Sequence, residues 1–248
     1  MSKADEYREK LRALDDWDSF LLAESGLPGP RGNIELAQVV ADEGSSELFQ
    51  RYLAYDAELA PVNSPYEFLA FCGIVGLGRL LVDGDTHLLK TLRMHASDPR
   101  WRMREGVAMA LQRLGDANMD GLIAAMQDWS QGTPLEQRAA AAALCEPRLL
   151  GQEKHARAVL EILNAITASL EQTHQCQGEA FQALRKGLGY CWSVAVVKLP
   201  GEGKALMEKW FVSTDKDIRW IMRENLKKNR LVRMDAEWVS KGQAQLKG

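Results

Sequence analysis

Asp98-Pro99-Arg100-Trp101-Arg102-Met103-Arg104-Glu105 returns further along the chain as Asp217-Ile218-Arg219-Trp220-Ile221-Met222-Arg223-Glu224, with Asp, Arg, Trp, Met, Arg and Glu kept in place. Six identities in eight positions, a tryptophan among them, mark an internal repeat. On a helix that opens after Asp98, the residues Met103, Val107, Ala110, Leu111 and Leu114 fall on one stripe and must face a core. The second copy predicts an equivalent helix from about Thr214 onward.

Outward from these segments, apolar residues recur at spacings of three and four almost throughout, and alternation with a period of two is hard to find. Strands are therefore not expected. Turn-forming clusters fall at PGPRGN (28–33), PVNSP (61–65), DGD (83–85), SDP (97–99), LGDAN (114–118), QGTP (131–134), LPGEG (199–203) and STDKD (213–217). Each can stop one helix and cap the next, which divides the chain into about a dozen helices. Alternate helices are expected to begin near Ser64, Asp98, Thr133, Gly178 and Thr214, in steps of 34, 35, 45 and 36 residues. A period near 35 built from helix pairs is the signature of an α-solenoid. The long third step holds an insertion, EPRLLGQE. Residues 1–60 fit the period least well and read as an N-terminal helical cap, continuous with the repeats of residues 61–248 as one domain. The expected fold is all-α, a right-handed α-α superhelix of about five to six helix pairs.

Asp98-Pro99 followed by Met103-Arg104, Val107, Ala110 and Leu111 resembles the first helix of a HEAT repeat. Met222-Arg223 and Leu226 repeat the match, and Thr133-Pro134 with Arg138, Ala141 and Leu144 gives a weaker one. The chain also looks like a bacterial group of HEAT-like repeat proteins of unassigned activity, through segments such as FLAFCGIVGLGRLL and IRWIMRENLKKNRL. By architecture it is more distantly similar to the HEAT-like DNA glycosylases that remove alkylated bases, which present tryptophans and arginines on a concave surface. That resemblance implies a nucleic-acid-binding role as the alternative to a protein-binding one.

A chain of 248 residues is long enough for a sizeable core, and 46% hydrophobic with 26% charged residues excludes disorder. No run approaches 18 uncharged apolar residues, and MSKADEYREKLRALDDWD is too charged for a signal peptide, so the expectation is a cytoplasmic protein without a membrane partner. Cys72, Cys145, Cys176 and Cys191 form no CxxC pair and read as reduced core thiols. His87, His95, His155 and His174 are scattered, read as surface or turn residues, and lack ligands at metal spacing, even at His174-Gln175-Cys176. No GxSxG, Walker loop or GxGxxG is present, so no catalytic apparatus, cofactor or metal is expected. Gly73, Gly76 and Gly78 lie inside the apolar run Phe68–Val82 and read as sites of close helix packing. Asp15-Asp16-Trp17-Asp18 reads as a helix N-cap with solvated neighbours.

Charge is unevenly distributed. Residues 1–97 carry 9 basic and 16 acidic side chains, whereas Phe181–Arg233 carry 12 basic and 5 acidic ones. A basic zone in a weakly acidic chain points to an anionic partner, or to the acidic part of the same chain or of a second copy. Candidate binding residues are Arg100, Trp101 and Arg104 in the first repeat segment, and Arg219, Trp220 and Arg223 in the second. A second cluster comprises Arg185, Lys186, Trp192, Lys227, Lys228 and Arg230, with Tyr190 between them in sequence. An arginine and aromatic ladder suits an acidic protein or peptide, and it equally suits phosphates and bases. The competing reading is structural, with Arg104 and Arg223 tying their helices to capping aspartates and the tryptophans filling gaps between repeats. Arg100 and Arg219 are the stronger binding candidates, because no packing rule requires them. The sequence favours a non-enzymatic scaffold with a protein partner.

Overall fold

Ser64 and Thr133 begin their helices where the sequence predicts, and each does so by accepting a hydrogen bond from a backbone N–H of the first turn with a proline just inside. Thr133 completes a capping box with Glu136. The computed structural model describes residues 2–172 and 178–247, so the histidine and cysteine at His174 and Cys176 lie outside the described residues. The described residues form fifteen helices and no strand. The chain divides into two compact units, 1–117 and 118–248.

In the first unit, α1 (Lys3–Arg12), α2 (Asp18–Glu24), α3 (Ile34–Glu43) and α4 (Ser46–Leu53) precede α5 (Pro65–Val82), α6 (Leu88–His95) and α7 (Trp101–Ala117). The central element is α5, which packs against α2, α3, α4, α6 and α7. It is long and apolar enough to cross a membrane, and 72% of that span is buried within the chain. Its glycines set the packing distances. A Cβ on Gly76 would stand 2.4 Å from the Phe49 ring of α4, and one on Gly78 would stand 2.6 Å from Cα of Ala110 on α7. Close packing of helices is thus the role of this glycine run, as its sequence suggests.

Polar ties surround that core. Arg8 and Arg12 pair with Glu43 to join α1 to α3, and Arg113 bonds to Asp42 and Gln38 to join α7 to α3. The acidic stretch before α2 does not cap its helix. Trp17 occupies the N-cap position without a side-chain capping bond, while Asp18 accepts from Arg51 at 2.8 Å and from the Tyr52 hydroxyl at 2.8 Å. The aspartate therefore ties α2 to α4.

In the second unit, α8 (Met119–Trp129), α9 (Pro134–Leu144), α10 (Glu153–Gln172) and α11 (Glu179–Val196) precede α12 (Pro200–Phe211), α13 (Lys216–Leu226), α14 (Asn229–Met234) and α15 (Ala236–Lys247). Helices α9, α11 and α13 pack side by side in one row, and α8, α10 and α12 in another. The rows meet through α8 on α9, α10 on α11 and α12 on α13. EPRLLGQE forms the link between α9 and α10, as expected of an insertion. The break expected over residues 114–118 contracts to Asn118 alone. Helix α7 continues through Ala117, and the Asn118 side chain accepts from the Gly121 N–H to start α8.

Trp192 is fully buried, and its Nε1–H donates to Thr167 Oγ1 at 3.1 Å. Asn225 is fully buried too. Its Oδ1 accepts from the Ser193 backbone N–H, and its Nδ2 donates to the carbonyls of Leu188 and Ile221, each at 2.8 Å. His155 departs from the surface role its sequence context suggests. It is 6% exposed, with Nε2 3.0 Å from Asp120 Oδ1. Cys72, Cys145 and Cys191 are free and buried.

Candidate binding surface

The two copies of the repeated segment open helices in different phase. Asp98 stands before α7, where it accepts from the Arg100 backbone N–H, and Trp101 is the first helical residue. In the second copy Asp215 is the N-cap of α13, so Asp217 already lies in the first turn and Trp220 in the second. Met103 and Met222 both point into the core. The arginines diverge, with Arg104 buried and Arg223 exposed.

Arg100, expected at a binding surface, is turned inward. It is 2% exposed, pairs with Asp98 at 2.8 Å, and donates through Nη1 to the carbonyls of Tyr55, Asp56 and Ala60. Its guanidinium closes the loop that follows α4. Arg104 bonds to the carbonyls of Asp98 and Pro99 and so ties down the start of its own helix. Arg219 donates to the carbonyls of Leu246 and Phe211, which anchors the end of α15. All three arginines serve backbone carbonyls, because carbonyls that lack helical partners need donors, and Arg104 meets the Asp98 carbonyl rather than the expected capping carboxylate. Trp192 leaves the surface as well, since it fills the core between α10 and α11.

Burial works against the charge on Asp98. The Arg100 guanidinium, His95 and the Arg100 N–H that bond to it outweigh burial and hold the carboxyl well below the usual carboxylate range. A carboxyl depressed on folding stabilises the protein above its unfolded pKa, and that contribution disappears as the pH falls through the depressed value. Asp98→Asn is expected to lower stability by about 1.5 kcal/mol at pH 7. The gap from the parent should narrow as the pH falls below about 4. Urea titrations at pH 7 and pH 3 check this, and an equal gap at both would refute it.

Two groups of candidate residues remain, one in each unit. In the second unit the Arg185 guanidinium lies 3.7 Å from the Trp220 ring centroid and its Nε is 2.7 Å from Asp217. Trp220 also presses on the α11 backbone, since a Cβ on Gly189 would come within 3.0 Å of its ring. One position along α11 is Tyr190, 43% exposed, with Arg230 4.6 Å and Lys228 5.8 Å from its ring centroid. Arg230 also donates to the Tyr190 hydroxyl. Lys186 is exposed, and Lys227 pairs with Glu224. Helix α13 stops at Leu226, with Lys227 as its C-cap, and Lys228 is the N-cap of α14. Tyr190 is thus the exposed aromatic residue of the basic cluster, in the place expected for Trp192.

In the first unit Trp101 is 45% exposed and lies 4.5 Å from the Arg102 guanidinium. Arg102 occupies the position that Ile221 takes in the second copy, and it reaches inward to a buried partner, with Nη1 2.9 Å from Oε2 of Glu67. Beside it opens a cavity of about 320 Å³ lined mainly by apolar side chains. Among the described residues no group of His, Cys, Asp and Glu is placed to hold a metal ion.

No family model matches the chain, and no curated protein does. Among solved structures, the chain is similar at 15% identity to the crystal structure of an engineered protein, with a TM-score of 0.37 over 98% of both chains.

Proposed function

We propose that the chain is a non-enzymatic scaffold of HEAT-like helix pairs that binds an acidic protein or peptide through its second unit. The reading rests on the side-by-side exposure of Tyr190 with Lys228 and Arg230, which no carboxylate among the described residues neutralises. A half-exposed ring under two cations binds a chain carrying both carboxylates and apolar side chains, since each partner group meets its complement. The paired rows α9, α11, α13 and α8, α10, α12 support a solenoid of stacked helix pairs, an architecture that offers long side-chain ladders to partners. Asp217 and Glu224 within the cluster already pair with Arg185 and Lys227. That neutralises two cations of the cluster and interleaves carboxylates among the rest, which favours a peptide over a nucleic acid.

A fluorescein-labelled peptide of alternating Glu and Leu tests the reading by anisotropy. Binding is expected to weaken with salt, and Arg230→Ala combined with Tyr190→Ala is expected to weaken it about tenfold. Equal affinity of the double variant and the parent would refute this surface. A duplex DNA that binds more tightly than the peptide would transfer the site to nucleic acid.

A further inference from the structure

The cavity of the first unit shares no residue with the Tyr190 cluster and does not depend on the peptide reading. Phe68 and Phe71 of α5 and Trp101 and Met109 of α7 form its walls, with Pro30 and Ile34 at the loop that enters α3. This loop is fixed in place. Arg102 Nη2 donates to the Gly29 carbonyl at 2.7 Å and to Asn63 Oδ1 at 3.2 Å, and that same Oδ1 accepts from the Gly29 N–H at 3.0 Å. The cavity is therefore preformed, and its volume of about 320 Å³ falls within the range of small-molecule sites.

The polar groups of the lining decide the charge of the occupant. Glu105 has a partner of its own. Arg31 is exposed and has no carboxylate partner among the described residues. Arg102 is 7% exposed, and its guanidinium is taken up by Glu67, Gly29 and Asn63. One unpaired cation at the rim favours an anionic group, while aromatic walls favour a flat ring.

We infer that this cavity is a binding site for a small aromatic monocarboxylate. The ring lies between Trp101 and the Phe68 and Phe71 side chains, and the carboxylate accepts from Arg31. Trp101, held against Arg102, serves as a wall of this pocket. Its exposure is then that of a ligand contact and needs no protein partner.

Titration calorimetry on the full chain with indole-3-acetate and indole-3-acetamide tests the site. The acid is expected to bind at least tenfold more tightly than the amide, and Arg31→Ala is expected to abolish that difference. Met109→Trp fills the cavity and is expected to remove binding of both probes with an unchanged circular dichroism spectrum. Should that variant fail to fold, Ile34→Glu sets a carboxylate at the exposed rim and is expected to reduce binding of the acid alone. Three results would each overturn the proposal: no heat from the acid at millimolar concentration, equal binding of acid and amide, or binding of the acid unaffected by both Arg31→Ala and cavity filling.

Discussion

Replacing Glu67 by Ala is expected to lower the stability of the first unit by about 3–5 kcal/mol, the largest loss from any single change considered in this chain. The Glu67 side chain has no exposure to solvent, and Arg102 has 7%. Oε2 of Glu67 accepts from Arg102 Nη1 at 2.9 Å and from the Asn63 backbone N–H at 2.7 Å. Asn63 adopts a left-handed backbone conformation, with φ at 69°, and that N–H bond helps hold it there. Removal of the carboxylate therefore strands a buried guanidinium and a backbone donor together. Replacing Glu67 and Arg102 both by Leu should recover much of the loss, since two apolar side chains leave no uncompensated charge. Urea unfolding followed by circular dichroism measures both effects. A single-variant loss below about 1 kcal/mol would show that the ion pair is not the anchor described.

Gly78→Ala is expected to lower stability by about 3 kcal/mol, near the upper end for overpacking. The added methyl would sit 2.6 Å from Cα and 2.7 Å from the carbonyl oxygen of Ala110. Both are backbone atoms, so no rotamer change relieves the contact and α5 must move away from α7. Gly201→Ala is the control. Nothing lies within 4 Å of a Cβ there, and the position is the second residue of α12. Its substitution is expected to be neutral or stabilising by up to about 1 kcal/mol. The two urea midpoints should therefore shift in opposite directions or differ strongly. Equal shifts would contradict the close approach of α5 and α7.

Much of the helical layout could be read directly from local chemistry. Ser64, Thr133 and Gly178 stand at the N-caps of α5, α9 and α11, because caps are decided by one residue and its neighbours. The count fell short of fifteen because helices such as α2 and α14, of 7 and 6 residues, are too short to show a period. The exchange of Trp192 for Tyr190 was also legible. Leu184, Leu188 and Trp192 follow the spacing of the buried stripe and Tyr190 lies off it, so helical phase separates a core ring from an exposed one.

The roles of the arginines were not legible, and the reason is physical. Arg100 satisfies backbone carbonyls at Tyr55, Asp56 and Ala60, and every residue type carries a carbonyl. Nothing in a sequence distinguishes such acceptors from others. The cavity of the first unit was hidden for a related reason. Its walls come from the loop before α3, from α5 and from α7, and only tertiary packing assembles them. A hint was present at Arg102, where an arginine replaces the apolar residue of the other copy, Ile221. A charge at a core-facing position of a repeat needs a buried partner, and Glu67 is that partner.

Asn225 links α13 to the middle of α11, because its amide takes up one N–H and one C=O of that helix and one carbonyl of its own. Apolar side chains on the same two helices would tolerate a shift of one residue, since one buried methyl group substitutes for another. An amide that engages three backbone groups does not, because any slip leaves them unpaired in a dry interior. Asn225 thus acts as a key that admits a single register of the two helices. Arg185 over Trp220 and Tyr190 beside Arg230 are set by that register, so the spacing of the surface side chains is specified from within the core.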